Sequence, residues 1–258
     1  MLLVQDRYFG DIGDFAKFGL LRGIVANDPA LRLCVLWYLV PDESNTNDGR
    51  HITYLERSSK NLKRFRPCDP VLYDKLGELV RAGKRTVSSV AENSLLPPET
   101  VYHDQPLSYR GVRNGDRRTH RERWLAAAHQ VADPAAVVFL DPDNGLEVGC
   151  DRHDGEGPKY AFYDDLRAIS QAAKTLIIYQ HSNRDGSFSE QVQARFSALQ
   201  GKLGRPAEAL FTLRWRRISA RASIFVLADG HGVIIHERLR ALLAGPWGAH
   251  FELIPAKA

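Results

Sequence analysis

Cysteine is scarce: Cys34, Cys68 and Cys150 are an odd, scattered set with no C-x-x-C pair. That pattern indicates neither a disulfide framework nor a structural zinc site, and reduced thiols are expected. No apolar run approaches the roughly 20 residues needed to cross a bilayer. The opening MLLVQDRYFGD lacks the basic segment and long apolar stretch of a secretory signal, so a cytoplasmic location with no membrane contact is expected. There is no G-x-x-x-x-G-K-[ST] loop, which disfavours a P-loop nucleotide hydrolase. The absence of G-x-S-x-G disfavours a serine hydrolase of the α/β type. Internal repeats and low-complexity tracts are missing as well.

What remains is a chain of 258 residues, 44% hydrophobic and 26% charged, enough for one substantial core. The net charge of +4 is unevenly spread. Arg57–Arg66 (RSSKNLKRFR) contains no acid, and Arg110–Arg123 (RGVRNGDRRTHRER) sets six arginines against Asp116 and Glu122. Such clusters suit a phosphate backbone, so nucleic acid is the expected partner; a solvated surface is the plainer alternative.

Hydrophobic periodicity predicts a helix over Asp14–Val25, with Asp14 as its N-cap. Leu33–Val40 (LCVLWYLV), Ala136–Leu140 (AVVFL) and Thr175–Tyr179 (TLIIY) read as strands covered on both faces. Between them, residues 57 to 125 read as a basic insertion or cap, with a short helix around Leu72–Val80 and a strand at Arg85–Val90. Helices are expected over Phe162–Ala173, Ser187–Leu203 and Val233–Leu243, and strands over Ala209–Trp215, Ala222–Leu227 and His250–Ile254. Alternating strands and helices predict one α/β domain spanning residues 1 to 258. Its sheet should be mostly parallel, with an antiparallel strand near the C-terminus, at or near an edge.

Ligands bind beyond the carboxyl ends of strands in open parallel sheets. Here three apolar strands run into dense polar loops: Val40 into PDESNTNDGRH, Leu140 into DPDNGLE, and Tyr179 into QHSNRD. Pro142 stops its strand, and Asp141 and Asp143 then offer carboxylates that could accept from an amino group, act as a base or hold a cation. The structural alternative is an Asx-Pro turn whose aspartates cap backbone, but Glu147 and His181 add groups that such a turn does not need. His181 is a candidate base, ligand or donor. Lys159, beside Tyr160, could neutralise a phosphate or carboxylate, or be a surface lysine.

The order of these features resembles the Rossmann-like S-adenosylmethionine-dependent methyltransferases that modify adenine N6 in large-subunit ribosomal RNA. Gly10-Asp11-Ile12-Gly13-Asp14-Phe15-Ala16-Lys17 matches the Gly, second Asp and Lys of their Gly-Asn-x-x-Asp-x-x-Lys pattern. Asp141-Pro142-Asp143-Asn144 stands where they carry Asp-Pro-Pro-Tyr, and Val40–Asn45 stands where they carry a glycine-rich cofactor turn. The resemblance implies a Rossmann-like three-layer fold and methyl transfer to a base of RNA or DNA. It implies Asp141, Asp143, His181 and Lys17 at the reaction, and Gly10, Asp14, Asp42 and Asn45 around S-adenosylmethionine. The extra carboxylate at Asp143 leaves two further readings. One is a nuclease or phosphodiesterase using Mg²⁺ or Mn²⁺ on Asp141, Asp143 and Glu147; the other is a non-catalytic nucleic-acid-binding protein.

Overall fold

The structure is a computed structural model, and it describes residues 4–26, 28–41, 49, 51–172, 175–182, 186–204, 210–216 and 222–256. A short helix α1 (Val4–Tyr8) precedes α2 (Ile12–Val25), and β1 (Leu33–Trp37) follows. Next come α3 (Ser59–Arg64), α4 (Pro70–Arg81), α5 (Ser88–Glu92), β2 (Val101–His103), α6 (Arg117–Ala132) and β3 (Val137–Asp141). A small ribbon of β4 (Gly145–Leu146) and β5 (Tyr160–Ala161) leads to α7 (Tyr163–Ala172), β6 (Thr175–His181) and α8 (Phe188–Leu203). The chain closes with β7 (Leu210–Trp215), β8 (Ala222–Ala228), α9 (Gly232–Ala244) and β9 (Phe251–Pro255).

The main sheet has the order β2-β1-β3-β6-β8-β7-β9. It is parallel from β2 to β6 and antiparallel from β6 through β8 and β7 to β9. The sheet is therefore mixed, where a mostly parallel one was expected. Two late strands are reversed: β8 is inserted between β6 and β7, and β9 occupies the edge, where an antiparallel strand was expected. Consecutive strands β7 and β8 pair directly, as short connections favour.

Strand alternation sends Leu33, Val35, Trp37, Val137, Phe139 and Ile177 to one face, where α2, α4 and α9 cover them. Cys34, Leu36, Val138, Leu140, Leu176 and Ile178 point the other way, against α6, α7 and α8. Both faces of β1 and β3 are buried, which is why those strands read as unbroken apolar runs. The result is a three-layer α/β fold. No helix among the described residues is long and apolar enough to cross a membrane.

The stretch from 57 to 125 is tied into this frame. It contributes edge strand β2 and most of α6, the helix that returns the chain to β3. The strand expected at Arg85–Val90 is instead a turn running into α5. Hydroxyls there bond one another, with Thr86 Oγ1 2.9 Å from Ser89 Oγ, and the Val87 amide donates to Asp6 Oδ1 at 2.8 Å. Local side-chain bonding has won over β-propensity.

Candidate functional site

Helix α2 starts three residues earlier than its periodicity suggested. Asp11, not Asp14, is the N-cap, and its Oδ1 accepts from the Asp14 amide at 3.0 Å. That frees the Asp14 carboxylate, which is buried and accepts from the Gly10 amide at 3.1 Å. Gly10 has φ 76°, and a Cβ there would come within 2.5 Å of Val80 Cγ2, so the approach of this loop to α4 requires glycine.

One turn along α2, Lys17 points to the carboxyl end of the sheet. Its Nζ lies 2.9 Å from Asp14 Oδ1 and 2.8 Å from Asp141 Oδ2. Alternation explains the second contact: Asp141 closes β3 on the face of Val137 and Phe139, the face that α2 covers. The same parity on β6 brings in Tyr179, whose ring centroid is 4.7 Å from Lys17 Nζ. A Cβ added at Gly13 would lie 3.1 Å from Asp11 Oδ1 and 3.4 Å from the Tyr179 hydroxyl, so both groups border this first turn of α2. His181 continues that row, its ring 4.8 Å from that of Tyr179 and perpendicular to it. Tyr54 braces the start of the helix, its hydroxyl donating to the Gly10 carbonyl at 3.2 Å.

This cluster sits where ligand sites are expected from topology. From β1 the chain goes out to β2 on one side and returns to β3 on the other, so a crevice opens beyond the carboxyl ends of β1 and β3. Asp141 lies there, paired in register with Trp37. Asp141, Asp14 and Lys17 are buried, Asp11, Asp143 and Tyr179 half-buried, and His181 exposed, so the cluster reaches solvent along one side.

Among the described residues charge is unbalanced: three carboxylates (Asp11, Asp14 and Asp141) face one ammonium. Burial raises the Asp14 carboxyl, partly offset by Lys17. Asp11 rises from 3.8 to about 7, through burial first and the Asp14 charge second. Lys17 goes the other way: burial would lower it, but Asp14 and Asp141 together hold it well above its usual value. That favours the charged ammonium form. Burial also raises the Tyr179 phenol, keeping it neutral.

A pH effect follows. The folded pKa of Asp11 is raised, so its contribution to stability is fully present below 3.8 and is lost as the pH rises through about 7. Asparagine caps a helix as well as aspartate does but cannot ionise. Urea unfolding of Asp11→Asn should therefore show a flatter decline in stability between pH 4 and 7 than wild type. Parallel curves would mean that Asp11 titrates normally.

The remaining expected residues are divided. The turn after Asp141 is built by Gly145, with φ 89°, and by Gln180, whose Oε1 accepts from the Leu146 amide at 2.8 Å. A Cβ on Gly145 would lie 2.7 Å from that amide group, so only glycine fits. Glu147 is turned away from this centre. Its Oε1 pairs with Lys202 Nζ at 2.7 Å, and its Oε2 accepts from the Tyr163 amide at 3.4 Å. Among the described residues, no group of three or more His, Cys, Asp or Glu side chains is placed to hold a metal ion. Asp42 and Asn45 lie outside the described residues.

Neither a family model nor a curated protein matches this chain. Asp11 and Tyr54 are members of the cluster that sequence reasoning did not single out, whereas Tyr179 stands at the strand end where the site was expected. The spacing Asp11-x-x-Asp14 at the head of an amphipathic run could have found Asp11.

Proposed function

We propose that the chain is a methyltransferase-like enzyme that uses S-adenosylmethionine to methylate an amino group on a base of RNA or DNA. The observation that carries this reading is the contact between Lys17 and Asp141, 124 residues apart in sequence. The two segments that resemble the adenine-N6 enzymes meet at one point, at the carboxyl end of β3. The sheet is consistent with it, since reversed β8 between β6 and β7 is the antiparallel finish that a Rossmann-like methyltransferase fold implies.

The donor set fits the cofactor by charge. Three carboxylates face one ammonium here, and burial first, with the Asp14 charge second, lets Asp11 hold its proton up to about 7. A sulfonium cation with an α-ammonium group would relieve that excess, and Asp11, Asp14 and the Gly10 loop are the residues that would hold it. When bound, it supplies an electrophilic methyl group. Asp141 Oδ2 is taken by Lys17 Nζ, which fixes the carboxylate and leaves Oδ1 to accept a hydrogen bond from the acceptor amino group. An amine gains positive charge as it is methylated, and a preoriented carboxylate stabilises that charge. Tyr179 and His181 supply aromatic surface at the mouth, which Asn144 does not.

Calorimetric titration tests the cofactor claim. S-adenosylmethionine should bind more tightly than its neutral demethylated product, and its affinity should rise between pH 6 and 8 as Asp11 ionises. The product keeps the α-ammonium group but not the sulfonium charge, so its pH dependence should be weaker. Absence of binding by either would overturn the reading.

A further inference from the structure

Beside the carboxyl end of β1 lies a cavity of about 330 Å³, whose walls include Pro41, Tyr109, Arg110, Arg117, Glu156 and Lys159. Its position is fixed by backbone. The Leu107 amide donates to the Leu39 carbonyl at 2.8 Å, fastening the loop after β2 to the carboxyl end of β1. The Asn144 amide donates to the Lys159 carbonyl at 2.9 Å, joining the far wall to the turn that follows Asp141. Two side chains tie the walls together: the Tyr109 hydroxyl donates to the Arg152 carbonyl at 2.9 Å and Arg117 Nη1 to the His153 carbonyl at 3.0 Å.

The lining is cationic. Lys159 is paired with Glu156 at 2.9 Å, but among the described residues neither Arg110 nor Arg117 has a carboxylate within ion-pairing distance. The Arg117 guanidinium lies over the Tyr109 ring, 5.4 Å from its centroid, and its buried Nε has no hydrogen-bond partner among the described residues. A guanidinium with donors to spare, over an aromatic ring and lining the same cavity as a second arginine, suits a phosphate. The volume is near the lower bound of small-molecule clefts, roughly 300 Å³, which admits one nucleotide unit and no folded segment.

We propose that this cavity, formed by Arg110, Arg117, Tyr109 and Lys159, binds the phosphate group of a nucleotide unit next to the acceptor site. The inference deepens the methyltransferase reading and rests on it for the nature of the acceptor. It would place a backbone phosphate beside the carboxyl end of β1.

The test is fluorescence anisotropy with end-labelled single-stranded RNA and DNA across a salt series, with adenosine monophosphate and inorganic phosphate as competitors. Arg110 is exposed, so Arg110→Glu should leave the fold intact while weakening oligonucleotide binding at least tenfold in low salt. Each lost phosphate contact should also reduce the salt slope by roughly 0.7. Arg117→Gln should act in the same direction; should that variant unfold, Arg110→Glu decides the matter. Competition by the mononucleotide identifies a free nucleotide as the source, and competition only by oligonucleotides identifies a strand; both support the site. Unchanged binding in Arg110→Glu, or no binding of any of these ligands by wild type, overturns it. The two proposals fail separately, because Arg110→Glu should still give the wild-type calorimetric signal with S-adenosylmethionine.

Discussion

Replacing Lys17 by methionine should cost about 3–5 kcal/mol of folding stability at pH 7, the usual result of removing one partner from a buried ion pair. The side chains of Lys17, Asp14 and Asp141 are 8%, 7% and 6% exposed, so solvent screens little of the interaction. Methionine keeps most of the length and the apolar contacts of lysine, so the loss is electrostatic and not a cavity. Asp14 and Asp141 would be left as like charges in a dry site, and the Asp14 carboxyl, already raised by burial, would lose the offset that Lys17 provides. A raised carboxyl contributes stability at low pH that disappears as the pH climbs, so the deficit of Lys17→Met should be largest near pH 8 and shrink toward pH 5. For a chain of this size the shift in melting temperature at neutral pH should be roughly 10 °C. Urea unfolding at two pH values is sufficient. A variant within about 1 kcal/mol of wild type at pH 7 would have the energetics of an exposed pair, and the cluster would not be buried as described.

The parts of this architecture visible in the sequence are those set by local periodicity. The apolar runs at Leu33, Ala136 and Thr175 became β1, β3 and β6 because each is buried on both faces. The helix expected over Ser187–Leu203 became α8, where Ser187 and Glu190 form a capping box. The polar loop at Asp141–Gly145 was legible because proline and glycine mark the end of a strand. What periodicity could not supply was pairing. Nothing in residues 210–228 shows that β8 inserts between β6 and β7, since that depends on which edge of the parallel sheet remains open. Nor could local pattern separate Glu147 from Asp141. Six residues apart in sequence, they diverge because β4 leaves the main sheet to pair with β5, carrying Glu147 toward Lys202. The contact between Lys17 and Asp141 lies between these extremes. Each partner was conspicuous alone, and strand parity brings them together once α2 is placed on the correct face.

Asp141 is the residue on which the proposed chemistry depends, and asparagine is the informative replacement. It preserves shape, but its amide can present the wrong group to an amino donor and carries no charge to stabilise a developing cation. Loss of one preoriented electrostatic partner at a reacting centre reduces turnover by about 10²–10³. Binding of S-adenosylmethionine should survive, because Asp11 and Asp14 provide the complementary charge on the other side of Lys17. The decisive measurement is therefore the rate of labelled methyl transfer from S-adenosylmethionine to single-stranded RNA and DNA by wild type and Asp141→Asn at matched cofactor saturation. Turnover by wild type with a fall of at least a hundredfold in the variant is the predicted result; equal rates, or no transfer by wild type to either nucleic acid, would contradict the account.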